Sequence, residues 1–169
     1  MTSLLVLGGA RSGKSRYAQK RIETHCGAMV YIATAEARDD EMAERIALHR
    51  MDRGKGWKTL EAPIDLPGAI KVASASSDAI LVDCLTIWLS NVMLEGISIP
   101  KARDDLIAAV TTCSVPIGLI ANEVGLGIVP DNALARRFRD EAGWLNQKLA
   151  EVVDEVVFLA AGLPMMLKP

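Results

Sequence analysis

The chain has 169 residues, half of them apolar, and a formal net charge of −2. These values suit one domain over residues 1–169 with an aliphatic core, and they exclude the broad basic field of a nucleic-acid-binding protein. The cysteines Cys26, Cys84 and Cys113 form no CxxC pair, the start of the chain lacks the basic and apolar parts of a signal peptide, and the longest apolar run, 156–167, is broken by Gly162 and Pro164; the expectation is a cytoplasmic protein with reduced thiols and no membrane span, since a spanning helix needs roughly 20 residues.

In chain order, the apolar run 4–7 predicts a buried strand. Residues 14–26 then read as a helix, with Ala18, Ile22 and Cys26 on one face and Gly27 as the stop. A second strand is expected over 28–33, a charged helix over 39–53, a short strand over 57–60 and a buried strand over 79–82. An apolar helix follows to about residue 94, then a helix over 101–112, a strand over 115–121, a long helix over 132–152 and a last strand over 155–159. Residues 54–56 and 95–100 read as loops. Strands alternating with helices indicate an α/β fold with a mainly parallel central sheet flanked by helices.

The first loop carries chemistry. Gly8, Gly9, Ala10, Arg11, Ser12, Gly13, Lys14 and Ser15 satisfy GxxxxGK[ST] at every fixed position, between an apolar strand and a helix. Glycines let backbone N–H groups curl around phosphate oxygens, and the helix start adds partial positive charge. Lys14 reaches the outer phosphates, and the Ser15 hydroxyl ligates Mg²⁺. The strand over 79–82 runs into Asp83, a carboxylate placed to hold the same ion. Strands often end in an aspartate at a turn, so Asp83 gains its meaning from the loop that accompanies it.

Of the two histidines, His25 near a helix end is explained by the helix dipole. His49 is different. Glu41, Arg45, His49 and Arg53 recur every four residues and form one helical stripe, with Arg50 beside it. Such a stripe also suits a solvated face. Among arginines, however, a protonated imidazole is repelled, whereas a neutral one beside arginine-held phosphates is a nucleophile.

These segments together resemble the bifunctional adenosylcobinamide kinase/adenosylcobinamide-phosphate guanylyltransferases over essentially the whole chain. The match rests on the phosphate loop, Tyr31-Ile32-Ala33-Thr34-Ala35, the segment from Arg45 through His49 and Arg50 to Arg53, and Trp57-x-Thr59-x-Glu61. It continues through Asp83-Cys84-Leu85-Thr86, Asn122-Glu123-Val124-Gly125-x-Gly127-Ile128-Val129-Pro130 and the helix beginning Leu134-Ala135-Arg136. The His49 and Asn122 segments are far more specific than the loop. Gly54-Lys55-Gly56 stands where some relatives have proline, and Asp83 where some have glutamate.

The resemblance implies a RecA-like P-loop NTPase domain that assembles as a homotrimer. It implies phosphorylation of adenosylcobinamide by ATP or GTP, followed by transfer of GMP from GTP, through a covalent adduct on His49, to adenosylcobinamide phosphate. Lys14 and Asp83 are then catalytic along with His49, and Ser15 and Asp83 are the Mg²⁺ ligands. Nucleotide contacts map to the loop residues, Ala33, Thr34, Ala35, Arg50, Met51, Asp52, Arg53, Glu61 and Asp83. Corrinoid docking falls by elimination to 122–130 and the helix after it. Two other readings share the P-loop: a monofunctional kinase for a small alcohol, which would take no GMP adduct, and a nucleotide-gated corrinoid-binding protein, which would turn nothing over.

Overall fold

The computed structural model describes residues 2–25, 27–35 and 56–169. The expected charged helix over 39–53, with His49, Arg50, Met51, Asp52 and Arg53, lies outside the described residues. The elements in chain order are β1 (Ser3–Gly8), α1 (Lys14–Ile22), β2 (Met29–Ala33), β3 (Trp57–Glu61), α2 (Leu66–Ser74) and β4 (Ala79–Asp83). Then come α3 (Leu85–Leu94), α4 (Ile99–Thr111), β5 (Ile117–Asn122), α5 (Ala133–Val152), β6 (Glu155–Ala160) and β7 (Leu163–Lys168). The described strands form a seven-stranded sheet in the order β3-β2-β4-β5-β1-β6-β7, as the alternation of strands and helices implies. All neighbours pair in parallel except β6 and β7, which are antiparallel.

Both faces of the central strands are buried, which is why those strands read as continuous apolar runs rather than as alternating ones. Successive side chains still separate by face. Leu5, Ile32, Ile80, Val82 and Leu119 pack with Ile70, Trp88, Leu106 and Leu149 from α2 to α5. Leu4, Val6, Leu81, Ile120 and Val157 pack on the other face with Ala18 and Ile22 of α1. Trp88 anchors the larger cluster: it is 1% exposed, and its indole N–H donates to the Ile64 carbonyl at 2.8 Å. Trp88→Ala removes that volume and strands a carbonyl, so a loss of about 3–5 kcal/mol of stability is expected, read as a lowered urea midpoint with an unchanged slope.

Two helix ends and two whole elements differ most from the sequence reading. Helix α1 ends at Ile22 instead of 26, because the chain tightens into turns: the Thr24 hydroxyl donates to the Arg21 carbonyl and the His25 N–H to the Ile22 carbonyl. Helix α2 was not expected, although its start is legible: the Asp65 carboxylate accepts from the Gly68 N–H at 2.9 Å, and Pro67 lies in the first turn. Helix α4 begins at Ile99 inside the expected loop 95–100, since a first-turn Pro100 needs no partner for an N–H it lacks. Strand β7 was also missed, and β6 is not the last strand. Ala161 and Gly162 both have positive φ, 50° and 79°, and close a two-residue hairpin; Pro164 is tolerated on an edge strand.

Candidate active site

The C-terminal ends of the parallel strands share one edge of the sheet, where ligands bind in open α/β folds. The register brings Gly8 opposite Asn122, Ala33 opposite Asp83, and Ala33 opposite Glu61. Strand β5 lies between β1 and β4. It therefore separates the phosphate loop from Asp83 by one strand.

The loop is shaped by its glycines at two places. Gly8 has φ +154°, and a Cβ there would meet the Leu159 carbonyl oxygen at 2.5 Å and Ser12 Oγ at 2.7 Å. Gly13, at φ +96°, precedes α1 in the left-handed region and offers no side-chain cap. The first-turn N–H groups of α1, including those of Lys14 and Ser15, are thus left for a ligand. Arg11 is also left-handed, at φ 54°. The tip of the β6–β7 hairpin braces the loop from outside: the Gly162 N–H donates to the Ser12 carbonyl at 2.9 Å.

Lys14 is only 7% exposed, and its ammonium donates to the Gly9 carbonyl at 2.6 Å. Burial pulls its pKa down from the ordinary lysine value, and the negative charge of Asp83 opposes that shift. The ammonium therefore stands within the field of Asp83. Ser12 Oγ is buried and has no hydrogen-bond partner among the described residues, which suits a loop built for a polar, phosphate-bearing ligand. No group of three or more His, Cys, Asp or Glu suited to a metal occurs among the described residues. A Ser15 hydroxyl and an Asp83 carboxylate, both partly exposed, are the sparse hard-oxygen set that Mg²⁺ accepts when phosphates and water complete its shell.

Other expected residues lie along the same edge of the sheet. Thr34 is fully buried, and its hydroxyl both donates to the Cys84 carbonyl at 2.7 Å and accepts from the Cys84 N–H at 2.8 Å. Its side chain holds the ends of β2 and β4 together. Ala33 and Ala35 are partly exposed beside it, and Glu61 is exposed at the end of β3. Cys84 is buried next to Asp83, and burial pushes its thiol up to about 11, which makes it a poor nucleophile.

Asn91 was not singled out by the sequence reading. This buried amide donates to the carbonyls of Thr34 at 3.0 Å and Pro63 at 3.1 Å, tying the segments after β2 and β3 to α3. Its signal was a lone amide in an otherwise apolar helix. The expected docking segment 122–130 is largely exposed, with Leu126, Ile128 and Val129 open to solvent.

The cobinamide kinase/cobinamide phosphate guanyltransferase family matches residues 4–167. The chain is 46% identical to the bifunctional adenosylcobalamin biosynthesis protein CobP of Pseudomonas aeruginosa, over 97% of this chain and 96% of that protein. It is 43% identical to the bifunctional adenosylcobalamin biosynthesis protein CobU of Salmonella typhimurium and 38% identical to CobU of Escherichia coli, in both cases over 98% of this chain and 99% of the relative. No described helix is long and apolar enough to cross a membrane. A glycine loop closing over a buried lysine, a carboxylate one strand away and a match across nearly the whole chain lead to one conclusion: the chain belongs to the cobinamide kinase/cobinamide phosphate guanyltransferase family, bifunctional enzymes of adenosylcobalamin biosynthesis.

Proposed function

We propose that the enzyme performs two transfers with one phosphate loop. In the first, the γ-phosphate of ATP or GTP passes to the hydroxyl on the aminopropanol arm of adenosylcobinamide. In the second, His49 attacks the α-phosphorus of GTP and expels pyrophosphate. The GMP then moves from His49 to the cobinamide phosphate, giving adenosyl-GDP-cobinamide. The observation that carries this reading is the buried Lys14 ammonium, held in the field of Asp83 at the mouth of the loop, in a chain of this family.

The loop N–H groups and Lys14 hold the triphosphate, while Arg50, Met51, Asp52, Arg53, Glu61 and the segment Ala33, Thr34, Ala35 border the nucleotide. Ser15 and Asp83 would hold Mg²⁺, which when bound neutralises charge on the phosphate oxygens. Residues 1–169 act as one domain in a cytoplasmic homotrimer; the family resemblance supports the trimer, and three cysteines without a CxxC pair support the reducing cytoplasm.

Mass spectrometry after incubation with GTP tests the second transfer. The protein should gain one GMP, and acid should remove it, because a phosphoramidate on histidine is acid-labile and a phosphoester is not. A monofunctional kinase gains no mass. A second test concerns the metal. Asp83→Asn keeps the shape of the side chain and removes its charge, so Mg²⁺-dependent turnover should fall by about 10²-fold or more while metal-free nucleotide binding changes little. An unchanged Mg²⁺ dependence would reduce Asp83 to a turn residue.

A further inference from the structure

Helix α3 buries an amide in its apolar side. Asn91 is 5% exposed, and the other buried residues of this helix are Leu85, Trp88, Leu89 and Val92. An amide in such a place costs about 1–3 kcal/mol unless it is hydrogen-bonded. Here Nδ2 donates to the Thr34 carbonyl at 3.0 Å and to the Pro63 carbonyl at 3.1 Å. Carbonyl oxygens only accept, so both hydrogens of the NH₂ group are committed, one to each chain segment.

The two acceptors lie where the sheet stops. The β2–β3 register ends with Ala33 opposite Glu61, and the Ala62 N–H then donates to the Ala33 carbonyl at 2.8 Å. Thr34 and Pro63 each follow a residue of that bond, and Asn91 links the two chains where the ladder has ended. Thr34 is tied to β4 as well: its N–H donates to the Asp83 carbonyl at 3.2 Å, and its hydroxyl is engaged by the Cys84 backbone. Helix α3 begins at Leu85, directly after these residues. One hydrogen-bonded path therefore runs from Asp83 through Thr34 and Asn91 to Pro63, and Trp88 of the same helix holds the next carbonyl, that of Ile64.

We propose that Asn91 is a positioning residue for the nucleoside part of the nucleotide: by holding the Thr34 and Pro63 carbonyls together, it fixes the separation of residues 33–35 from Glu61. This rests on the placement of the nucleotide against those residues given above, and it adds the group that holds them. Asn91 is buried and acts through the backbone it binds. A leucine of similar size would fill the space but leave two carbonyls unpaired, and the ends of β2 and β3 would part to find water. The phosphate loop is anchored separately. It leaves β1, which β4 and β5 separate from β2. Loss of the amide should therefore weaken the grip on the nucleoside and spare the grip on the phosphates. A contact held equally in the ground and transition states changes KM rather than kcat.

GDP and inorganic pyrophosphate separate the two grips, since they carry the same number of phosphates and differ by the nucleoside. The experiment measures calorimetric affinities for both, with kinase kinetics on GTP and urea midpoints, for wild type, Asn91→Leu, Asn91→Asp, Asn91→Gln and Leu106→Ala. Asn91→Leu and Asn91→Asp should each lose about tenfold in GDP affinity and raise the KM for GTP to match, with pyrophosphate affinity and kcat within about threefold of wild type. Asn91→Gln keeps the NH₂ group and should stay nearer to wild type; it also serves if the other two variants do not fold. Leu106 is fully buried on α4 in the same core. Leu106→Ala should lower the urea midpoint, by about 2–5 kcal/mol of stability, yet bind GDP as wild type does while folded. Wild-type GDP affinity in Asn91→Leu and Asn91→Asp overturns the proposal. So does a parallel loss of pyrophosphate affinity, or an equal loss of GDP affinity in Leu106→Ala, either of which marks Asn91 as structural. Wild-type protein that binds GDP no better than pyrophosphate would instead defeat the placement of the nucleoside itself.

Discussion

Lys14→Ala should abolish both activities, with kcat/KM down by about 10³-fold or more in each, since in the scheme we propose both are substitutions at a phosphorus of a nucleotide held by the same loop. The ammonium is buried and lies within the field of Asp83, and it donates to the Gly9 carbonyl of its own loop. Water cannot readily replace it at 7% exposure. The fold should survive. Burial lowers the Lys14 pKa, so the folded state holds that proton less tightly than the unfolded state does. Wild-type stability therefore rises as pH climbs through the folded pKa toward the ordinary lysine value, and the alanine variant lacks that rise. Paired kinase, guanylyl-transfer and thermal-unfolding measurements check this. Kinase activity within tenfold of wild type would overturn the loop assignment, and a collapsed melting temperature would show that Lys14 was chiefly structural.

His49→Ala should split the two activities. The variant should take no GMP from GTP and make no adenosyl-GDP-cobinamide, because the nucleophile we propose is gone. The kinase step uses a different phosphorus and a direct attack by the cobinamide hydroxyl, so it should stay within about tenfold of wild type, a margin that allows for lost triphosphate positioning. Phosphorylated product should then accumulate. In the wild type, guanylylation should fall as pH is lowered, because only a neutral imidazole attacks. Product chromatography with radiolabelled GTP reads both outcomes. A GMP label retained by the variant would move the nucleophile elsewhere, with Lys14 the first alternative.

Much of this site is legible in the chain because its chemistry is local. The phosphate loop is eight consecutive residues whose glycines, lysine and serine act within one turn, and the structure bears out the loop between β1 and α1. The central strands are equally legible, since burial on both faces leaves unbroken apolar runs. The misses have local causes of another kind. Gly162 and Pro164 disguise β7, and Pro67 and Gly68 disguise α2, because residues that usually break an element here occupy its turn, edge or first turn.

The α/β class, the phosphate loop, the strand ending at Asp83 and the family resemblance are all readable from the chain, because each depends on neighbouring residues or on short motifs. How these parts face one another follows from packing across the sheet. Thr34 is anchored by a partner 50 residues away, since the Cys84 backbone takes both functions of its hydroxyl. Asn91 reads as an ordinary helix residue until the Thr34 and Pro63 carbonyls meet it. Strand order is a global choice, set by which faces can be buried together, and no local spacing encodes it.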